Sequence, residues 1–269
     1  MDKTTTRAVE RVIATMRENL GQQLTIDDMA RVAMFSKFHF SRIFQRVTGI
    51  SPGRFLSALR LQQAKQLLVS TQSNVADISL QVGYTSIGTF SSRFTRSVGL
   101  SPTAYRRLGG YAPAVHPETS VSGPEWAFGT VKGVIRPYPA DEPQLTFVGL
   151  FRDRIPEARP VSCAILDQPG PFTLEKVPPG EWFLLAHSVS SDPARVTGEP
   201  GAGAGNELGV GSLGPITMRR GMVIDDAELQ LKAISDLDPP VLLALLDVRM
   251  AALKLVAERE QQQQQTSVA

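Results

Sequence analysis

Few side chains in this chain have the chemistry of a catalyst. There is one cysteine, Cys163, in the strand-like run from Ser162 to Leu166, with no histidine or basic residue beside it. Group transfer by a thiol needs a base and an activated thiolate, so Cys163 reads as a structural thiol. The three histidines, His39, His116 and His187, are scattered and make no ligand pair. Acidic pairs such as Asp225-Asp226 fall at strand ends or turns. No set supplies a nucleophile, a base and an orienter together, so the expectation is no catalytic residue, no metal ligand and no cofactor. A single cysteine also excludes an internal disulfide and a cysteine-rich zinc site.

Positive charge is the chemistry that stands out, and it is unevenly placed. Residues 1–110 carry 15 Lys+Arg against 6 Asp+Glu, a formal +9. Residues 111–269 carry 13 against 20, a formal −7, so the total of +2 hides the asymmetry. A basic front half gains affinity for nucleic acid by displacing counterions from phosphates.

The charges sit on a repeat. A short helix, a turn and a second helix ending in glycine, an apolar residue, serine and proline occur over Thr25 to Pro52 and again over Asn74 to Pro102. Ile26, Met29 and Ala33 match Val75, Ile78 and Val82 at an offset of 49. One extra residue in the second turn shifts the offset to 50, so Ser36, Phe40, Phe44, Arg46, Gly49, Ser51 and Pro52 match Ser86, Phe90, Phe94, Arg96, Gly99, Ser101 and Pro102. Phenylalanines four apart share one helix face and can fill the core between two helices. Ser36 and Ser86 sit where an N-cap is expected, and Gly49 and Gly99 fit a left-handed helix stop. Ser51-Pro52 and Ser101-Pro102 read as N-cap and first helical residue.

The elements between must hold the two copies in place. Pro52 to Ser70 has no breaker beyond Gly53 near its start, and Phe55, Leu59, Leu61, Ala64, Leu67 and Leu68 give an apolar face. Nineteen residues at ~1.5 Å each span about 28 Å, close to the ~34 Å between successive major-groove faces. The repeat therefore reads as a device for placing two helices in two adjacent grooves. Arg7 to Leu20 is the opening helix, with Val9, Val12, Ile13 and Met16 inward.

With these motifs, above all VADISLQVGY from Val75, FSSRF from Phe90 and GLSPTAYRR from Gly99, the front of the chain, over residues 7–108, resembles the DNA-binding domain of the AraC/XylS family of bacterial transcription regulators. Two departures are Met34, where the family has glycine, and Ser79, where it has alanine; both are expected to touch packing. The resemblance implies that residues early in each second helix face base edges. These are Lys37, Phe38, Ser41 and Arg42 in the first unit, and Ile87, Thr89, Ser92 and Arg93 in the second. Arg42 is the foremost base reader, because its fork matches guanine O6 and N7. Phe38 either packs on a thymine methyl or closes the hairpin edge, and His39 reads as a phosphate contact or a packing residue. Ser36, Arg46, Ser86, Arg96, Arg106 and Arg107 are expected to hold phosphates, which positions without specifying.

The texture changes after Leu108. Glycines and prolines up to Pro124 read as a linker. From Val131 onward come short alternating runs: VKGVIRPY, LTFVGLF, SCAILDQ, FTLEKV, EWFLLAHSV, ITMRRGMVI and ELQLKAIS. About seven short strands with Gly/Pro turns argue for a β-sandwich. Residues 191–214 read as a long loop. The segment from Phe172 through Val177-Pro178-Pro179-Gly180 to Trp182 resembles the transthyretin-like, carboxypeptidase-regulatory sandwich, which implies an accessory module. Trp126, Trp182 and Phe183 line either a core or a pocket. Pro239 to about Glu260 reads as a helix with Leu242, Leu246, Met250, Leu253 and Ala257 on one stripe.

The expected fold class is multidomain: an all-α double helix-turn-helix domain (1–108), a linker (109–130), a mainly-β sandwich domain with a C-terminal helix (131–260), and a disordered tail (261–269). The expected function is sequence-specific regulation of transcription, with double-stranded promoter DNA as partner. RNA polymerase, a small-molecule effector and a second copy of the chain stay open as further partners. The alternative is a DNA-targeted enzyme with a catalytic second half. No run of about eighteen apolar residues and no secretory segment occur, so a cytoplasmic protein is expected.

Overall fold

Helix caps written in the sequence set the boundaries of the helices in the computed structural model, which describes residues 3–110, 124–138, 144–190 and 207–243. Seven α-helices come first: α1 (Lys3–Glu18), α2 (Ile26–Ala33), α3 (Lys37–Thr48), α4 (Pro52–Ser70), α5 (Val75–Gln81), α6 (Ile87–Val98) and α7 (Pro102–Arg107). Thr25 and Asp28 form a reciprocal capping box at α2: the Asp28 amide donates to Thr25 Oγ1 at 3.2 Å and the Thr25 amide to Asp28 Oδ2 at 3.0 Å. Asn74 caps α5 by accepting from the Asp77 amide at 2.8 Å. The glycine stops are as the repeat requires, with Gly49 at φ +81 and Gly99 at φ +87; both are left-handed, the conformation glycine adopts without a Cβ penalty. The two serine caps differ. Ser86 accepts from the Thr89 amide at 3.4 Å, whereas Ser36 makes no side-chain cap bond.

Met34 corrects one expectation. The change from glycine falls on the backbone, not on packing: Met34 sits at φ +58 as the left-handed cap of α2, and its side chain is 76% exposed. Ser79 does sit in the packing, fully buried, its hydroxyl donating to the Ala76 carbonyl at 2.7 Å.

The helical unit also contains two short stretches from far along the chain: it groups Met1–Gly110 with Arg154–Ala158 and Ser235–Leu243. Its core is built on α4. Phe55, Leu56, Ala58, Leu59 and Leu61 are all buried, which wraps most of the way round the helix. One apolar face was the expectation; α4 packs against α1 and α3 on one side and α5 and α7 on the other, so it is shared scaffold for both units. Phe40, Phe44 and Phe55 meet edge to face at 5.5 Å between centroids, and Phe90, Phe94 and Tyr105 repeat the arrangement at 5.5–5.6 Å.

The second unit contains seven strands: β1 (Gly129–Arg136), β2 (Gln144–Phe151), β3 (Ser162–Leu166), β4 (Pro171–Val177), β5 (Gly180–Ser190), β6 (Glu207–Met218) and β7 (Val223–Gln230). They form a three-stranded sheet, β4-β1-β7, and a four-stranded one, β3-β2-β5-β6. All pairs are antiparallel except β1 with β7. Inward residues of both sheets share one core, including Val131 and Ile135 of β1, Val148 and Leu150 of β2, Leu174 of β4, and Trp182 and Leu184 of β5. Gly133 lets β7 close on β1, since a Cβ there would meet the Ala227 carbonyl oxygen.

Three sequence boundaries shift. The run ITMRRGMVI divides at a turn, its first part ending β6 and its last opening β7. Residues 207–214 belong to β6, not to the expected loop, whose remainder (191–206) lies outside the described residues. Pro239–Leu243 is not helical; the rest of the expected C-terminal helix, the tail, and His116 lie outside the described residues.

Candidate nucleic-acid interface

Burying Phe40, Ile43 and Phe44 fixes which residues of α3 face water. Lys37, Phe38 and Arg42 are exposed and Ser41 is half-buried. Phe38 is 83% exposed, so it does not close the hairpin edge. Phe38 is the one phenyl ring of α3 on its exposed polar face, since Phe40 and Phe44 are buried. Two neighbours are tied down. Lys37 Nζ pairs with Asp27 Oδ2 at 2.9 Å, and Ser41 Oγ donates to the Lys37 carbonyl at 2.9 Å. His39 is exposed and packs edge-on against Phe35 at 5.0 Å.

On α6, burial of Phe90 and Phe94 leaves Ile87, Gly88, Thr89, Ser92 and Arg93 exposed. The repeat offset of 50 sets these against α3. Gly88 stands where Phe38 does, and Ser92 where Arg42 does. Arg93 occupies the place of the buried Ile43. Although exposed, Arg93 Nη1 reaches across to α4 and donates to Ser57 Oγ at 3.0 Å.

The residues expected to hold phosphates divide into two kinds. Ser36, Arg46, Ser86, Arg96 and Arg107 are exposed. Arg106 is half-buried and donates through Nε to the Leu68 carbonyl at 2.9 Å and through Nη2 to the Ser73 carbonyl at 2.7 Å. It thereby satisfies one carbonyl in the last turn of α4, which the helix itself leaves open, and one in the loop that follows. Arg60 does the same for the chain leaving α1, donating to the Leu20 and Gln22 carbonyls at 3.0 and 2.6 Å. Burial pulls the Arg60 guanidinium below its ordinary pKa. The role of Arg60 is not legible in the sequence, because its acceptors are backbone atoms about forty residues away and carry no side-chain signature.

In the second unit, Trp182 is core, 3% exposed, with its indole N–H donating to the Pro178 carbonyl at 2.8 Å. Phe183 is half-buried and Trp126 is 65% exposed. Cys163 is half-buried in β3, opposite Gly149 of β2. His187 is buried in β5 opposite Phe147. Among the described residues no three His, Cys, Asp or Glu side chains gather as a metal site, and no helix is long and apolar enough to cross a membrane.

Two tandem helix-turn-helix units on a shared helix define the class: a double helix-turn-helix domain. The family model described as "Helix-turn-helix domain" matches residues 29–108. An uncharacterised HTH-type transcriptional regulator of Haemophilus influenzae is 45% identical over 82 residues, covering 30% of this chain and 28% of that protein. The HTH-type transcriptional activator AarP of Providencia stuartii is 30% identical over 98 residues, covering 36% of this chain and 73% of that one. A solved AraC-type transcriptional regulator from Chromobacterium violaceum is 26% identical, with 42% of this chain and all of that one covered, at a TM-score of 0.38. The chain belongs to the AraC/XylS family of transcription regulators. It spans about a third of the length of several curated relatives that it matches.

Proposed function

We propose that this chain is a sequence-specific DNA-binding regulator of transcription that reads two successive major grooves of promoter DNA with α3 and α6. The observation that carries this is the pair of matched helices, each with its aromatic face buried and its polar face in water, on a domain of formal charge +9. On α3, Lys37, Phe38, Ser41 and Arg42 are the proposed base contacts, with Arg42 on guanine and Phe38 on a thymine methyl. On α6 they are Ile87, Thr89, Ser92 and Arg93. Ser36, Arg46, Ser86, Arg96 and Arg107 hold phosphates. Arg106 is left out of that set, because its guanidinium is engaged with carbonyls of the fold.

The sandwich is proposed as an accessory module that tunes occupancy through a ligand or a protein contact, in the manner of a transthyretin-like domain, and not as a catalyst. Any such ligand must bind the DNA-competent and incompetent states unequally. Cys163, half-buried on the edge strand β3, gives no support to group transfer. RNA polymerase, a second copy of the chain and a cytoplasmic location belong to the same proposal.

The test is selection of binding sites from random duplex DNA by the full chain at one physiological salt concentration. Enrichment of a motif with two elements about one helical turn apart is the expected result. Enrichment of no motif would overturn the proposal.

A further inference from the structure

The two units differ at one seam. In the first, Ile43 and Val47 lie one turn apart on the inward side of α3, which packs against α1. At the offset of 50 the second unit has Arg93 and Ser97 in their places, and α6 looks toward the first turns of α4. Both apolar positions have become polar, and the seam is a cavity of about 210 Å³. All its walls belong to the helical unit. Arg54 and Ser57 of α4 and Arg93, Arg96 and Ser97 of α6 supply polar groups; Leu61, Ile155 and Leu242 supply an apolar wall.

One end of this cavity already recognises a carboxylate. Glu157 Oε1 pairs with Arg54 Nη2 at 2.9 Å, and Glu157 Oε2 accepts from Ser97 Oγ at 2.9 Å. The lining holds three guanidinium groups, of Arg54, Arg93 and Arg96, and one carboxylate, a formal excess of two positive charges. Arg93 and Arg96 also line it, one turn apart on α6, and Arg93 donates to Ser57 Oγ, another lining residue. Arginine forks suit planar or tetrahedral oxyanions, and their hydrogen bonds to such groups are strong.

We infer that the α4–α6 cavity is a binding site for a small organic dianion, an organic phosphate or a dicarboxylate, with its charged group on Arg93 and Arg96 and its hydrocarbon body against Leu61, Ile155 and Leu242. The inference about its effect rests on the proposed DNA reading: a ligand that engages Arg93 and Arg96 takes both from DNA, so its binding weakens DNA binding.

The experiment is calorimetric titration of the full chain, without DNA, with phenyl phosphate, phthalate and inorganic phosphate at fixed ionic strength. Saturable binding of phenyl phosphate or phthalate is expected, tighter than that of inorganic phosphate; the tighter of the two organic anions identifies the source. Arg93→Gln should weaken it about tenfold or more, while Arg11→Gln, which removes a cation from α1, should leave it within roughly twofold. Matching thermal melts of the variants show that the fold is kept. No saturation up to about 10 mM, equal loss in both variants, or inorganic phosphate binding as tightly as the organic anions would overturn the inference. Titration of the selected DNA then follows, with the organic anion expected to raise its Kd. A chain that selects no DNA motif but binds the anion refutes the regulator proposal and supports this site. A chain that selects a motif but binds no anion does the reverse.

Discussion

The two helix-turn-helix units share a core and differ on their outer faces. Phe40 and Phe44 have counterparts in Phe90 and Phe94, all fully buried, and both units end on a left-handed glycine. Around that common frame, α3 presents a ring and a guanidinium, Phe38 and Arg42, where α6 presents Gly88 and Ser92. Packing demands fixed volumes on the inner face, because interiors are close-packed. The outer face has no such constraint, so a duplicated unit can be specialised there at little cost to folding. On the proposed reading, the first unit carries the groups that discriminate bases. The second carries small groups at the matching places, and its arginine, Arg93, stands at the position of Ile43 and is tied to Ser57 of α4.

The sharpest way to break this comparison is through the shared core. Phe44→Ala and Phe94→Ala should each cost about 3–5 kcal/mol. Because α4 packs on both units, each change should melt all seven helices together in chemical denaturation followed by circular dichroism. A half-amplitude transition for either variant would show that the units fold independently.

The outer faces should respond unequally. Arg42→Ala is expected to lose about 1–3 kcal/mol of discrimination at one or two base pairs, read by competition between the selected site and its single-base variants. Ser92→Ala, at the matching place on α6, should lose less than about 1 kcal/mol. Equal losses would mean that the units read DNA alike.

Arg106→Ala separates brace from phosphate anchor. It removes two charge-assisted bonds to carbonyls, so a stability loss of about 2 kcal/mol is expected, while the salt dependence of DNA binding stays unchanged. Arg107→Ala should do the opposite, lowering the salt slope by about one and leaving stability nearly intact.

The smallest effect concerns the helix caps. Hydrogen bonds from the Thr25 hydroxyl and amide hold the Asp28 carboxyl below its ordinary value. A lowered carboxyl pKa contributes stability that is present above the unfolded value, near ~3.9, and is lost as pH falls through the folded value. Thr25→Ala should lower stability at neutral pH by loss of the cap, with the gap to the parent closing as the pH falls below the ordinary carboxyl range in urea titrations. Asn74→Ala, at the cap of α5, should cost a similar amount at neutral pH.

How legible each feature was follows from where its partners lie. The bounds of α4 could be read because Pro52 opens it and no breaker follows before Ser70. The exposure of Lys37, Phe38 and Arg42 followed from the helical period once Phe40 and Phe44 were placed inside. β1 to β5 were visible as alternating runs; most of β6 was not, because 207–214 is rich in glycine and reads as loop, and the break inside ITMRRGMVI was not, because Arg219 to Met222 carries only one turn residue, Gly221. The role of Arg106 was illegible, since its acceptors are carbonyls and every residue has one. Glu157 was illegible too: its partner Arg54 is 103 residues away, and no local pattern marks such a pairing. The place of Arg93 was available from the repeat offset alone, by setting it against Ile43.

The helical unit takes Arg154–Ala158 and Ser235–Leu243 from late in the chain, with Lys65 Nζ donating to the Val241 carbonyl at 3.1 Å across 176 residues. Synthesis runs from the N-terminus, so all seven helices leave the ribosome long before these contacts can form. At 5–20 residues per second, the stretch between residues 110 and 243 takes roughly ten seconds to make. Through that interval the nascent helices have neither Glu157 beside Arg54 nor Leu242 beside Leu61. The helical unit therefore exists first in an incomplete form and is completed only when the segment after the last strand, Ser235–Leu243, has been made.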